Sequence, residues 1–129
     1  MKENENFTIT NLTKGRLPSL PFTQIKEKAL GKDFVVSLVF APASKTKKMN
    51  LIYREKDKTP NVLSFPLSKN EGEIFITPTE AKKQAKKFGR SYENFLQFLF
   101  IHGLIHLNRL DHGDEMEKEE KRVRKEFGI

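Results

Sequence analysis

Cysteine and tryptophan are absent from this chain of 129 residues, and histidine is scarce, with three in all. Without cysteine there is no disulfide and no thiolate zinc site, so any metal has to be held by imidazole and carboxylate. No apolar run approaches the roughly 20 residues of a membrane-spanning helix. The polar opening Met1-Lys2-Glu3-Asn4-Glu5-Asn6 lacks the apolar segment of a secretion signal. A cytoplasmic protein is expected. There is no internal repeat and no low-complexity linker, and the length suits one domain spanning 1–129. What the chain does have is eleven Phe, enough large apolar side chains for a core, and a formal charge of +7. That charge favours a polyanionic partner, nucleic acid first and an acidic membrane surface second.

Apolar and polar residues alternate over Phe7–Asn11, and Phe34–Phe40 is β-branched and nearly continuous, so both read as strands. Between them a short helix carrying Ile25, Ala29 and Leu30 ends at Gly31. Ser44 is positioned to cap a helix from Lys45 to Arg54, in which Met49, Ile52 and Tyr53 have helical apolar spacing and the lysines stay solvated. Val62–Phe65 and Gly72–Thr77 read as a strand pair. A lysine-rich helix follows from Thr79 through Lys87, closed by Gly89, with Lys82, Lys83, Lys86, Lys87 and Arg90 as a basic surface that suits an RNA backbone and equally a solvated helix face. Phe88 and Tyr92 beside it are expected in the core rather than as base-stacking platforms. Ser91 caps Tyr92–Leu107, apolar on almost every side and therefore the buried central helix. A charged helix, Asp114–Phe127, carries acid early and base late, as the helix dipole favours. The fold class that results is α+β, about four strands packed with a buried central helix and surrounding helices.

All three histidines fall in His102-Gly103-Leu104-Ile105-His106-Leu107-Asn108-Arg109-Leu110-Asp111-His112. Residues four apart differ by only about 40° around a helix axis, so His102 and His106 can face one ion. His112 follows near Gly113, where the chain can fold back toward them. Three imidazoles with an open fourth position describe a catalytic zinc arrangement, with Asp111 able to orient a ligand or cap a helix. The spacing also matches the HExxHxxGxxH zinc proteases, but Gly103 stands where they carry their general-base Glu. The alternative is that His102 and His106 are hydrogen-bonded core residues and His112 lies on the surface.

The histidine stretch resembles the YbeY family signature, approximately HGxLHLxGYDH. Asn50-Leu51-Ile52-Tyr53-Arg54-Glu55-Lys56-Asp57-Lys58-Thr59-Pro60-Asn61-Val62-Leu63-Ser64-Phe65-Pro66 is similar to a second block, NxxYRxKDxPTDVLSFP. Gly72-Glu73-Ile74-Phe75-Ile76-Thr77-Pro78 is similar to a third, GDIxISP. The departures are Arg109-Leu110 for Gly-Tyr, Asn61 and Glu73 for Asp, and an exchange of Thr59 and Pro60. With the family glycine gone, the turn after the helix is expected either at Asn108 in the left-handed conformation or further on, the helix continuing.

The resemblance implies a zincin-like helix packed on a mixed sheet and one zinc held by His102, His106 and His112. It also implies a metal-dependent endoribonuclease, a hydrolase of phosphodiester bonds that acts on single-stranded rRNA at the 3′ end of the small-subunit RNA, in ribosome assembly or quality control. Arg54 matches a family arginine facing the site and would stabilise phosphoryl charge; Lys56 would add a point charge. Implied partners are rRNA, the small ribosomal subunit, one of its proteins and an assembly GTPase. Two other classes compete: a non-catalytic rRNA-binding assembly factor with a structural metal, and a zinc hydrolase of another substrate. The second is disfavoured by Gly103 and the basic surface.

Overall fold

The computed structural model describes residues 6–108 and 113–129. The expected strands form β1 (Phe7–Asn11), β2 (Val35–Phe40), β3 (Val62–Ser68) and β4 (Glu71–Ile76), joined in one sheet of order β1-β2-β4-β3. β1 with β2 and β2 with β4 are parallel, and β3 turns back antiparallel on β4. The sheet is therefore mixed, as its connections require: parallel neighbours need long crossovers, whereas β3 and β4 are separated only by Lys69-Asn70. β3 lies at the edge, where Pro66 can sit without breaking a ladder on both sides, and the register slips between Pro66 and Ser68.

Alternation along the strands divides the apolar residues between two faces. Leu38, Phe40, Ile74 and Ile76 join the main core, whereas Val39, Ala41 and Phe75 join Leu63 in a smaller cluster. Helix α4 (Tyr92–Leu107) fills the main core with Phe95, Leu96, Phe100, Ile101, Leu104 and Ile105, all fully buried. Its cap is the expected one, Ser91 Oγ accepting from the Asn94 amide at 3.0 Å. Helices α1 (Phe22–Leu30), α3 (Pro78–Ala85) and α5 (Gly113–Glu126) pack against it. The approach of α4 to the sheet is close. A Cβ on Gly103 would lie 2.9 Å from Ser64 Oγ and 3.2 Å from Ile74, and Ser64 Oγ donates to the Gly103 carbonyl at 3.0 Å.

Helix α2 (Ala43–Arg54) departs from the expectation. It begins one residue ahead of Ser44, with Pro42 in the cap position and no side-chain cap. Its buried residues are Thr46 and Asn50, while Ile52 and Tyr53 are 63% and 66% exposed. Polar contacts seat it instead: Thr46 Oγ1 and Thr77 Oγ1 share a hydrogen bond of 2.7 Å, and Asn50 Nδ2 donates to the Lys58 carbonyl at 2.9 Å. Of the expected apolar stripe Met49 packs on the smaller core, and the Thr46 hydroxyl and Asn50 Nδ2 are buried with partners, which offsets their desolvation, whereas Asn50 Oδ1 is buried with no partner among the described residues. The lysine-rich helix also differs, since α3 gives way to a 3-10 turn over Lys86–Phe88 before left-handed Gly89. Phe88 is 55% exposed, although its ring lies 5.0 Å from that of Phe95. Arg90 leaves the basic surface to lie over the Phe98 ring at 4.4 Å and bond Asn94.

Candidate active site

His102 and His106 leave the last two turns of α4 on one face, as their spacing requires. Their Nε2 atoms are 3.0 Å apart and their ring centroids 4.4 Å apart. Two nitrogens bound tetrahedrally to one zinc at about 2.0–2.1 Å would be roughly 3.3 Å apart, so the pair fits a shared ion almost as it stands. Neither ring is in the apolar interior: His102 is partly buried and His106 exposed, which sets aside the alternative of two core histidines.

A residue outside the histidine stretch fixes the geometry. Glu120 of α5 accepts from His102 Nδ1 at 2.7 Å, with its side chain 14% exposed. Burial pushes the Glu120 carboxyl up, but the hydrogen bond and charge of His102, with Arg124 and His106, outweigh it and hold the group below its usual range. An ionised carboxylate only accepts, so the His102 proton resides on Nδ1 and Nε2 faces the cleft. Burial, then His102, then Arg54 pull the His106 pKa down, against Glu120. Its imidazole is thus neutral at pH 7, the form that ligates a metal.

Arg54 ends α2 and enters the same cleft, a cavity of about 390 Å³ bounded by Arg54, Tyr53, Ser64, Phe65 and the two histidines. Its helix stops on Glu55, the one non-glycine residue among those described with positive φ, 55°. The Lys56 amide bonds back to the Asn50 carbonyl, an arrangement that usually employs glycine. A second cavity of about 540 Å³ shares Arg54 and Val62 with the first and is lined by Lys56, Lys58 and Lys83.

Among the described residues, no group of three His, Asp or Glu is arranged to hold a metal ion. His112, Asp111, Arg109 and Leu110 lie outside the described residues. Asn108, inside them, is right-handed at φ −73° and ψ −4°, so the expected left-handed turn is not at this position, and α4 ends at Leu107.

The model of the family described as Endoribonuclease YbeY matches residues 2–127. The chain belongs to the YbeY family. It is 38% identical over 102 residues to the Endoribonuclease YbeY of Campylobacter jejuni (strain RM1221), covering 73% of this chain and 76% of that one. To the Endoribonuclease YbeY of Staphylococcus carnosus it is 35% identical over 107 residues, covering 74% and 70%. The solution structure of TM1509 from Thermotoga maritima is similar in fold, with TM-score 0.65 and 26% identity over 95% of this chain and 89% of that one. The mixed sheet under a buried helix is thus a YbeY-type, zincin-like architecture.

In that architecture the glycine in the protease base position has a packing reason. A Cβ on Gly103 would press on Ser64 Oγ and Ile74 of the sheet, so a Glu there would clash with the strands under α4. Glu120 was invisible in the sequence because α5 carries many acidic residues and nothing marks which one meets α4. The nearest signal is the apolar stripe of Met116, Val123 and Phe127, which turns Glu119 and Glu120 toward the core side of the helix without choosing between them.

Proposed function

We propose that the chain is a metal-dependent endoribonuclease that cleaves single-stranded rRNA in maturing the 3′ end of the small-subunit RNA, with one zinc held by His102, His106 and His112. Family membership carries the reaction class. The observation that carries the site is the convergence of two Nε2 atoms at 3.0 Å in a cleft that also holds Arg54. A zinc ion in such a site supplies Lewis acidity, both to acidify water and to polarise a phosphoryl oxygen.

The chain's own residues divide the remaining work. Glu120 keeps the His102 ring from rotating and keeps its proton on Nδ1. His106 presents a neutral ring at pH 7. Arg54 offers a planar fork of donors to the phosphoryl oxygens, where negative charge accumulates during in-line displacement. It also lies between the histidine cleft and the lysine-lined cavity, so a strand passing from one to the other meets it. Ribosomal partners, a small-subunit protein and an assembly GTPase, belong to this same reading.

Elemental analysis of the purified protein is expected to find about one zinc per chain, falling sharply in His106→Ala. Failure to take up zinc at neutral pH would remove the metal from the proposal. Arg54→Glu is expected to fold and retain zinc but to lose 3′-end processing of the small-subunit RNA; unchanged processing would sink the role of Arg54.

A further inference from the structure

Three side chains at the end of α2 are apolar and exposed: Leu51, Ile52 and Tyr53. Of these, only Tyr53 borders the histidine cleft. Tyr53 is 66% exposed, yet its ring meets Phe65 edge-on at 5.5 Å and 69°, and Phe65 in turn meets Phe75 at 5.9 Å and 78°. This aromatic series runs from the small core on one sheet face, past the edge strand, to the rim of the cleft. Burial does not explain an aromatic residue left two-thirds exposed at the cleft while its ring meets Phe65.

The surroundings specify what could cover it. Arg54 follows Tyr53 directly, and the adjoining cavity carries Lys56, Lys58 and Lys83. The single carboxylate there, Glu80, is engaged by Gln84 at 2.7 Å and by Lys83 at 3.8 Å. The chemistry is an aromatic surface in a cleft that adjoins a cationic cavity through Arg54 and Val62, which matches a nucleotide strand: phosphates along the cations, a base face on the ring. A partner protein with an acidic surface would use the cations but gain nothing from an isolated flat ring beside the histidines.

We propose that Tyr53 is the stacking platform for one unpaired nucleobase of the substrate, on the nucleotide next to the phosphate that faces Arg54 and the histidines. The proposal rests on the endoribonuclease reading and deepens it. A base inside a duplex has both faces occupied by its neighbours, so only an unstacked base can lie on Tyr53. The platform thereby selects single strands. Every base has a π face, so it selects them without reading sequence. Tyr53 in this role is a substrate-positioning residue. It does not touch the reacting phosphoryl group.

The test is binding of a fluorescein-labelled ten-residue oligoadenylate by the zinc-loaded full chain, read by anisotropy, with cleavage followed separately. Base stacking on an aromatic residue gives about 5- to 150-fold in affinity. Tyr53→Ala is expected to raise Kd about tenfold or more, and Tyr53→Phe to stay within about twofold of the native chain. The native chain should lose a similar factor on an oligomer in which one adenosine in turn is replaced by an abasic residue, at one position only, and Tyr53→Ala should be indifferent to that replacement. Tyr53 is exposed, so the variant is expected to fold, and unchanged melting of Tyr53→Ala and Tyr53→Phe together confirms the comparison. Native affinity in Tyr53→Ala overturns the platform alone, as does a Tyr53→Phe as weak as Tyr53→Ala. A native chain that neither binds nor cleaves the oligomer overturns the endoribonuclease reading and the platform with it.

Discussion

Glu120 and His102 are eighteen residues apart, on different helices, and meet at 2.7 Å. Carboxylates that receive the second nitrogen of a ligating imidazole fix its orientation and raise its basicity, and removing them typically weakens metal binding about 10- to 100-fold. Glu120→Gln keeps an acceptor oxygen and nearly the same volume but loses the charge. Zinc affinity, measured by competition with a chelator, is expected to fall about tenfold in this variant, with a melting temperature of the metal-free protein close to native. Unchanged zinc affinity would show that the contact only docks α5. The histidines themselves were legible because the four-residue spacing alone puts two rings on one side of a helix. Their partner was not, since nothing along α5 distinguishes Glu120 from Glu119, which pairs with Arg122 at 2.6 Å on the same helix.

At the scale of elements, the site depends on how closely α4 sits on the hairpin of β3 and β4. Gly72 faces Leu107 and Gly103 faces Ser64 and Ile74, so glycine on each side lets helix and strands approach. Gly103→Ala would place a methyl 2.9 Å from Ser64 Oγ and 3.2 Å from Ile74, inside ordinary contact. Overpacking of this kind costs about 1–3 kcal/mol. Thermal or urea unfolding of the metal-free chain is expected to show a loss of that size, and native stability would mean that the sheet yields freely. The strands, the buried helix and its Ser91 cap were readable from period and capping alone, because each buries a face whose composition follows from local geometry. The seating of α2 was not. It is held by the Thr46–Thr77 hydroxyl pair and by Asn50, and side-chain pairs across 31 residues leave no periodic trace. The same misreading hid Tyr53, which looked like core material by spacing and stands at the cleft rim instead.

The formal charge of +7 does not say which basic surface meets a polyanion, and two candidates stand out among the described residues. One is the cavity beside Arg54 with Lys56 and Lys58; the other is the exposed end of the lysine-rich helix with Lys86 and Lys87. They differ in what they can do for the reaction. Only the first is continuous with the cleft, through Arg54 and Val62, so only there do phosphate contacts hold the strand in register with the histidines. Each phosphate neutralised on a single strand contributes about −0.7 to the slope of log K against log salt. If the strand follows the cavity, Lys56→Gln with Lys58→Gln should reduce the slope for a single-stranded oligoribonucleotide by about 1.4. Lys86→Gln with Lys87→Gln should leave it close to native. The opposite pattern would move the strand onto the helix, away from Arg54, and the path through the cleft would have to be abandoned.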